Sequence, residues 1–85
     1  MARVIIDVRE PAEFVTGHIE GALNLPSTKL DATTPELATI SKDDEVIVYC
    51  RSGGRASSAV NMLSDLGYTN VTNGINQATV IDKYM

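Results

Sequence analysis

Cys50, Arg51, Ser52, Gly53, Gly54 and Arg55 follow one another in a chain that contains no other cysteine. The apolar run Val46-Ile47-Val48-Tyr49 before them reads as a buried strand, and helical spacing begins near Ala56 after them. The thiol is therefore expected where a strand ends and a helix begins, with two glycines that let the backbone close around it. Backbone N–H groups and the positive end of a helix macrodipole would then surround the sulfur. Both favour thiolate over thiol and lower the cysteine pKa. The thiolate is the nucleophile, which makes this loop a candidate site for sulfur chemistry.

Two plainer readings compete. A free cysteine after an apolar strand is often a small core residue, but a core position has no need of two adjacent glycines and two cations. The loop could also be a phosphate cradle. It lacks the Lys-Ser/Thr ending and the spacing of a nucleotide P-loop, and no G-x-G-x-x-G occurs in the chain. Nucleotide binding is not expected.

The elements that would hold this loop can be read outward from it. Val4-Ile5-Ile6 is a β-branched run without alternation, as in a strand covered on both faces. Arg9-Glu10-Pro11 breaks it, and Pro11 to Phe14 suit a brief helix with proline in its first turn. Gly17 and Gly21 bracket a loop carrying His18, and Leu23-Asn24-Leu25 forms a second short strand stopped by Pro26. One or two short helices are expected between Ser27 and Ser41, the better marked with Thr34 as N-cap. Lys42-Asp43-Asp44 is a polar turn. Ala56, Ala59, Val60, Leu63 and Leu66 recur at helical spacing up to a stop at Gly67. Asn70-Val71-Thr72 is the expected last strand, and the tail from Asn76 to Met85 has helical character.

Strands alternating with helical segments imply an α/β domain, a mostly parallel sheet with helices on both faces. Ligands of such sheets bind outside the carboxyl ends of the strands. Cys50 and the segment Asp7-Val8-Arg9 both lie at strand ends, so Cys50, Asp7 and Arg9 are expected on one edge. Arg9 and Glu13, four residues apart, are candidates for a surface pair. His18 has no second ligand at metal-binding spacing and is expected to act as a loop hydrogen-bonder.

Composition sets wider bounds. Eighty-five residues suit one domain, assigned here to residues 1–85, and a lone cysteine leaves folding to a core of Val, Ile, Leu and Ala. A net charge of −4 without a basic stripe argues against nucleic acid or an anionic membrane as partner. No stretch approaches the ~20 apolar residues of a membrane span. Met1-Ala2-Arg3 enters a strand without a signal-peptide pattern. The compartment stays open between the cytoplasm and, for a mature form, the periplasm.

Asp7-Val8-Arg9-Glu10, Glu13-Phe14, Gly17 to Ala22, Asn24-Leu25-Pro26 and Cys50 to Arg55 together resemble the rhodanese-like family, over about Val4 to Val71. The likeness is greatest to its small single-domain sulfurtransferases, including the short periplasmic phage-shock type. The resemblance implies the rhodanese α/β fold and a Cys50 that carries a persulfide within the amides of Arg51, Ser52, Gly53, Gly54 and Arg55. Many members have a further N-terminal strand and helix, which this chain does not show. Many also have paired glycines and an aromatic residue where this chain has Gly74-Ile75-Asn76-Gln77 and no Trp. That segment builds a pocket wall in the family, so the choice of substrate stays open.

The activity so implied is a thiosulfate sulfurtransferase working by double displacement through Cys50, with cyanide, a small thiol or a protein thiol as acceptor. It is expected to act as a monomer and to need no metal or organic cofactor. Arg51 is assigned to orient the anion, and Arg55 to pair with Asp7 and hold the loop. The alternatives are a cysteine phosphatase or arsenate reductase of the related fold, and a sulfur-carrier or binding module. The phosphatase-type loop is Cys-x5-Arg, whereas Cys50 to Arg55 is Cys-x4-Arg, a smaller ring better sized for a single sulfur. Binding modules of the family commonly lack the cysteine.

Overall fold

Five-residue strands fix the frame of the computed structural model, which describes residues 2–85. β1 (Arg3–Asp7), β2 (Leu23–Asn24), β3 (Glu45–Tyr49) and β4 (Val71–Ile75) form one sheet in the order β2-β1-β3-β4. Every neighbouring pair is parallel. α1 (Pro11–Phe14) leads towards β2, a 3-10 helix (Pro35–Thr39) precedes β3, α2 (Gly54–Asp65) connects β3 to β4, and α3 (Gln77–Tyr84) follows β4.

β1 and β3 are central and covered on both sides, which is why their sequences are β-branched without alternation. Ile6, Val46 and Val48 face α2 and the loops before β3, packing with Val8, Leu25, Leu37, Ala56, Ala59 and Leu63. Ile47 and Tyr49 face the other way, against Ile19 and Val80, with Tyr84 of α3 beside them. The expected helices on both faces are therefore present. Tyr68 Oη donates to the Leu37 carbonyl at 3.0 Å and anchors the 3-10 helix.

Several boundaries differ from expectation. β1 begins at Arg3 and runs to Asp7, β2 omits Leu25, and β4 continues to Ile75 rather than ending at Thr72. Between Ser27 and Ser41 the chain forms a single 3-10 helix. Thr34 precedes it without a side-chain capping bond. The Thr34 hydroxyl instead accepts from the Asp31 amide at 3.0 Å, so it closes the preceding turn. α2 begins at Gly54, two residues before Ala56, which draws Gly54 and Arg55 out of the loop and into the first helical turn.

Register brings the edge together. Asp7 of β1 lies opposite Tyr49 of β3, the residue before Cys50. On the other side Val48 pairs with Asn73 and Tyr49 with Ile75, so Gly74 sits in an irregularity of the ladder. A Cβ at Gly74 would lie 2.5 Å from Val80 Cγ2 and 2.9 Å from Ile47 Cγ2. Glycine is needed there for α3 to approach the sheet.

Candidate active site

Cys50 is the first residue beyond β3 and is 2% exposed. Its amide donates to the Ile75 carbonyl at 3.1 Å, which ties the sulfur-bearing residue to the end of β4. The chain then turns back through Gly53, whose φ of 96° is a left-handed conformation that suits glycine. Gly53 is the N-cap of α2. Its N–H points at Cys50 Sγ from 3.1 Å. Gly54 has an ordinary φ and open space where a Cβ would stand. Of the two glycines, the turn requires the first.

Burial alone would push the Cys50 thiol up, but the amides of Ala56, Ser52, Gly53 and Arg55 act against it, and their sum places the pKa below the ordinary thiol value. The sulfur thus lies in a cradle of backbone donors at the start of a helix, where an anion is favoured. The amides, set against burial, are the cause of that lowering.

The other predicted residues take different places. Arg51 and Ser52 are exposed, and among the described residues no carboxylate forms an ion pair with Arg51. Arg55 does not reach Asp7. It forms two bonds to Glu13, Nη1 to Oε1 at 2.6 Å and Nη2 to Oε2 at 3.0 Å. Arg9 does not take Glu13 as a surface partner either. It is buried, and its Nη2 donates to Asp7 Oδ2 and to the Gly17 carbonyl, both at 2.7 Å. Asp7 Oδ1 also accepts the Arg9 amide at 2.9 Å. With both oxygens engaged by Arg9, Asp7 has no role left for Arg55. The Asp7–Arg9 pair therefore braces the sheet edge and the Gly17 loop from inside. His18 behaves as a loop hydrogen-bonder, its Nδ1 donating to the Phe14 carbonyl at 2.9 Å while its ring stacks on Phe14.

Asn73 was not singled out in the sequence, and Glu13 was expected to pair with Arg9 rather than with Arg55. Asn73 Nδ2 donates to the Gly53 carbonyl at 3.1 Å, and Asn73 Oδ1 accepts the Ile75 amide at 2.9 Å. One side chain thus joins the turn after Cys50 to the end of β4. Glu13, the partner of Arg55, does the same for α1. Glu13 was legible from the Glu-Phe motif and from its spacing to Arg9, but its partner is Arg55; Asn73 carried no signal.

Comparison with known proteins bears on the family and the fold. A family profile described as "Rhodanese-like domain" matches residues 1–76. A solved structure described as "rhodanese with anions from E. coli" superposes with a TM-score of 0.81 at 35% identity, covering 92% of this chain and 91% of that one. Thiosulfate sulfurtransferase PspE of Escherichia coli is 40% identical over 80% of this chain and 64% of its own length. A protein named "Sulfurtransferase" from Allochromatium vinosum is 40% identical over 82% of this chain and 63% of its own. The chain thus spans somewhat less than two thirds of these two curated relatives.

Proposed function

Since this chain belongs to the rhodanese-like family, we propose that it transfers a sulfane sulfur from thiosulfate to cyanide or a thiol through a persulfide on Cys50. The observation that carries this reading is the cradle itself: a recessed sulfur whose charge is met by backbone amides, with Gly53 N–H 3.1 Å away.

In the first step the Cys50 thiolate attacks the outer sulfur of thiosulfate. A bond forms between Sγ and that sulfur. The sulfur–sulfur bond of thiosulfate breaks, and its electron pair leaves with sulfite. The persulfide keeps one negative charge, which the loop amides stabilise as an oxyanion hole would. In the second step cyanide, or the thiolate of an acceptor, attacks the outer persulfide sulfur. The bond to Sγ breaks and its pair returns to Cys50 as thiolate, releasing thiocyanate or the acceptor persulfide. Atoms and charge balance in both steps without a metal or an organic cofactor. Arg51, exposed beside the nucleophile, orients the sulfonate end of the donor. Ping-pong kinetics follow.

The amide ring also bears on the phosphatase alternative. Only four residues separate Cys50 from Arg55, and Arg55 is engaged by Glu13. The cradle suits a single added sulfur, and the arginine of the phosphatase pattern is committed to a carboxylate.

Intact mass spectrometry tests the proposal. Incubation with thiosulfate is expected to add one sulfur atom, and later addition of cyanide to restore the original mass. Cys50→Ser should gain nothing. A wild-type protein that takes up no sulfur, yet hydrolyses an aryl phosphate efficiently, would overturn the reading in favour of the phosphatase.

A further inference from the structure

Ile75 is the only non-glycine residue with positive φ among the described residues, at 74°. Isoleucine suits this conformation poorly, because its branched Cβ crowds the backbone there. Such strain persists only where the surroundings over-determine it, and it concentrates at functional sites. Here the surroundings act on the backbone. The Ile75 amide is held by Asn73 Oδ1, its carbonyl by the Cys50 amide, and the strand before it is irregular at Gly74. A glycine at position 75 would keep all these bonds without the strain. None of them accounts for the side chain.

The residue is 40% exposed, yet its side chain lies against the sulfur cradle. Ile75 Cγ2 is 3.5 Å from the point a Cβ of Gly53 would occupy, and Gly53 is the residue whose amide faces the sulfur. An apolar surface therefore borders the cradle, next to a loop whose other exposed side chains, Arg51 and Ser52, are polar. Thiosulfate is an anion with no apolar part to place there. The second substrate can have one.

We propose that Ile75 determines specificity in the second half of the reaction, favouring a thiol acceptor that carries an apolar group over cyanide or a polar thiol. This rests on the sulfur-transfer reading above. The acceptor thiolate attacks the outer persulfide sulfur while its apolar group lies on Ile75, removing both surfaces from water.

The test compares Ile75→Gly, which relieves the backbone, with Ile75→Asn, which tolerates the left-handed conformation but is polar. The acceptor half-reaction is measured with benzyl mercaptan, 2-mercaptoethanol and cyanide. In both variants kcat/KM for benzyl mercaptan should fall about five- to tenfold relative to the other two acceptors, the scale of a partly exposed apolar contact. The thiosulfate half-reaction should stay unchanged, and Ile75→Gly should melt no lower than wild type. Equal changes for all acceptors, or none, would overturn the proposal.

A second measurement needs no sulfur transfer. The ratio of Cys50 alkylation rates with iodoacetanilide and iodoacetamide should fall by a similar factor in both variants, and an unchanged ratio would overturn the apolar contact. Failure of the wild-type protein to accept sulfur from thiosulfate would instead overturn the reading on which the proposal rests, and the alkylation ratio separates the two.

Discussion

Arg55, in the first turn of α2, holds Glu13, the last-but-one residue of α1, through a two-pronged ion pair at 2.6 and 3.0 Å. The bond spans 42 residues and fastens the helix whose N-terminal amides cradle Cys50 to the segment following β1. Arg55 positions the cradle through its backbone and anchors it through its side chain.

The pair gives a pH signature. Hydrogen bonding from Arg55, followed by that from the Glu10 amide, lowers the Glu13 pKa from 4.5 to about 2. The folded chain thus binds fewer protons than the unfolded chain across that interval. The contribution is fully present above pH 4.5 and is lost as pH falls towards about 2. Both side chains are partly exposed, which keeps the effect modest through solvent screening. Glu13→Gln should melt slightly lower at neutral pH and show a shallower loss of stability between pH 4.5 and pH 2.5. A wild-type slope in the variant would show that the carboxylate titrates without consequence.

The cradle predicts a reactive cysteine. Since four amides outweigh the burial of Cys50, the rate of iodoacetamide alkylation should rise with a midpoint below the ~8.5 of a free thiol. Gly53→Ala forces a Cβ into a left-handed turn and moves the amide at 3.1 Å from Sγ. Its midpoint should shift upward. A midpoint at or above the free-thiol value in wild type would mean that burial prevails.

The strand, cysteine and helix of the site were legible because their signals are local. Val46 to Tyr49 is a dense apolar run, and the α2 core positions Ala56, Ala59 and Leu63 repeat at helical spacing. The partners of the two arginines were not legible. Arg9 folds back on Asp7 two residues away, and this pairing across a strand end occupies the carboxylate that Arg55 was expected to use. Nor does the type of residue 75 signal its backbone, since positive φ ordinarily announces itself as glycine. That conformation depends on a β4 irregularity and on Asn73, both fixed only by tertiary contacts.

Gly74 offers a test of packing apart from the chemistry. An added methyl would meet Val80 Cγ2 at 2.5 Å, Ile47 Cγ2 at 2.9 Å and the Val48 carbonyl at 3.3 Å. Val80 and Ile47 are fully buried and have little room to yield. Gly74→Ala should therefore destabilise by ~1–3 kcal/mol, the usual cost of overpacking. Combining it with Val80→Ala should recover part of that loss, because the worst contact disappears. Denaturant unfolding of the single and double variants measures the coupling, and simple additivity would mean that α3 shifts freely away from the sheet.

Arg51 bears on how a dianion reaches a protein of net charge −4. Its side chain is exposed beside Cys50, and among the described residues no carboxylate pairs with it, in contrast to Arg9 and Arg55. A solvated arginine that merely keeps the surface polar would have no effect on kinetics. One that offsets the overall repulsion and orients the sulfonate would act on donor capture. Arg51→Ala should then raise the KM for thiosulfate with little change in kcat. Loss of one charge-assisted contact, ~1.5–3 kcal/mol, corresponds to a roughly ten- to hundredfold fall in kcat/KM. The dependence of kcat/KM on ionic strength should weaken in the variant, because the screened attraction is gone. Arg51→Lys should recover the salt dependence and part of the affinity, since it restores charge without the planar fork. Wild-type kinetics for Arg51→Ala at low salt would leave recognition of the anion to the backbone amides of the cradle alone.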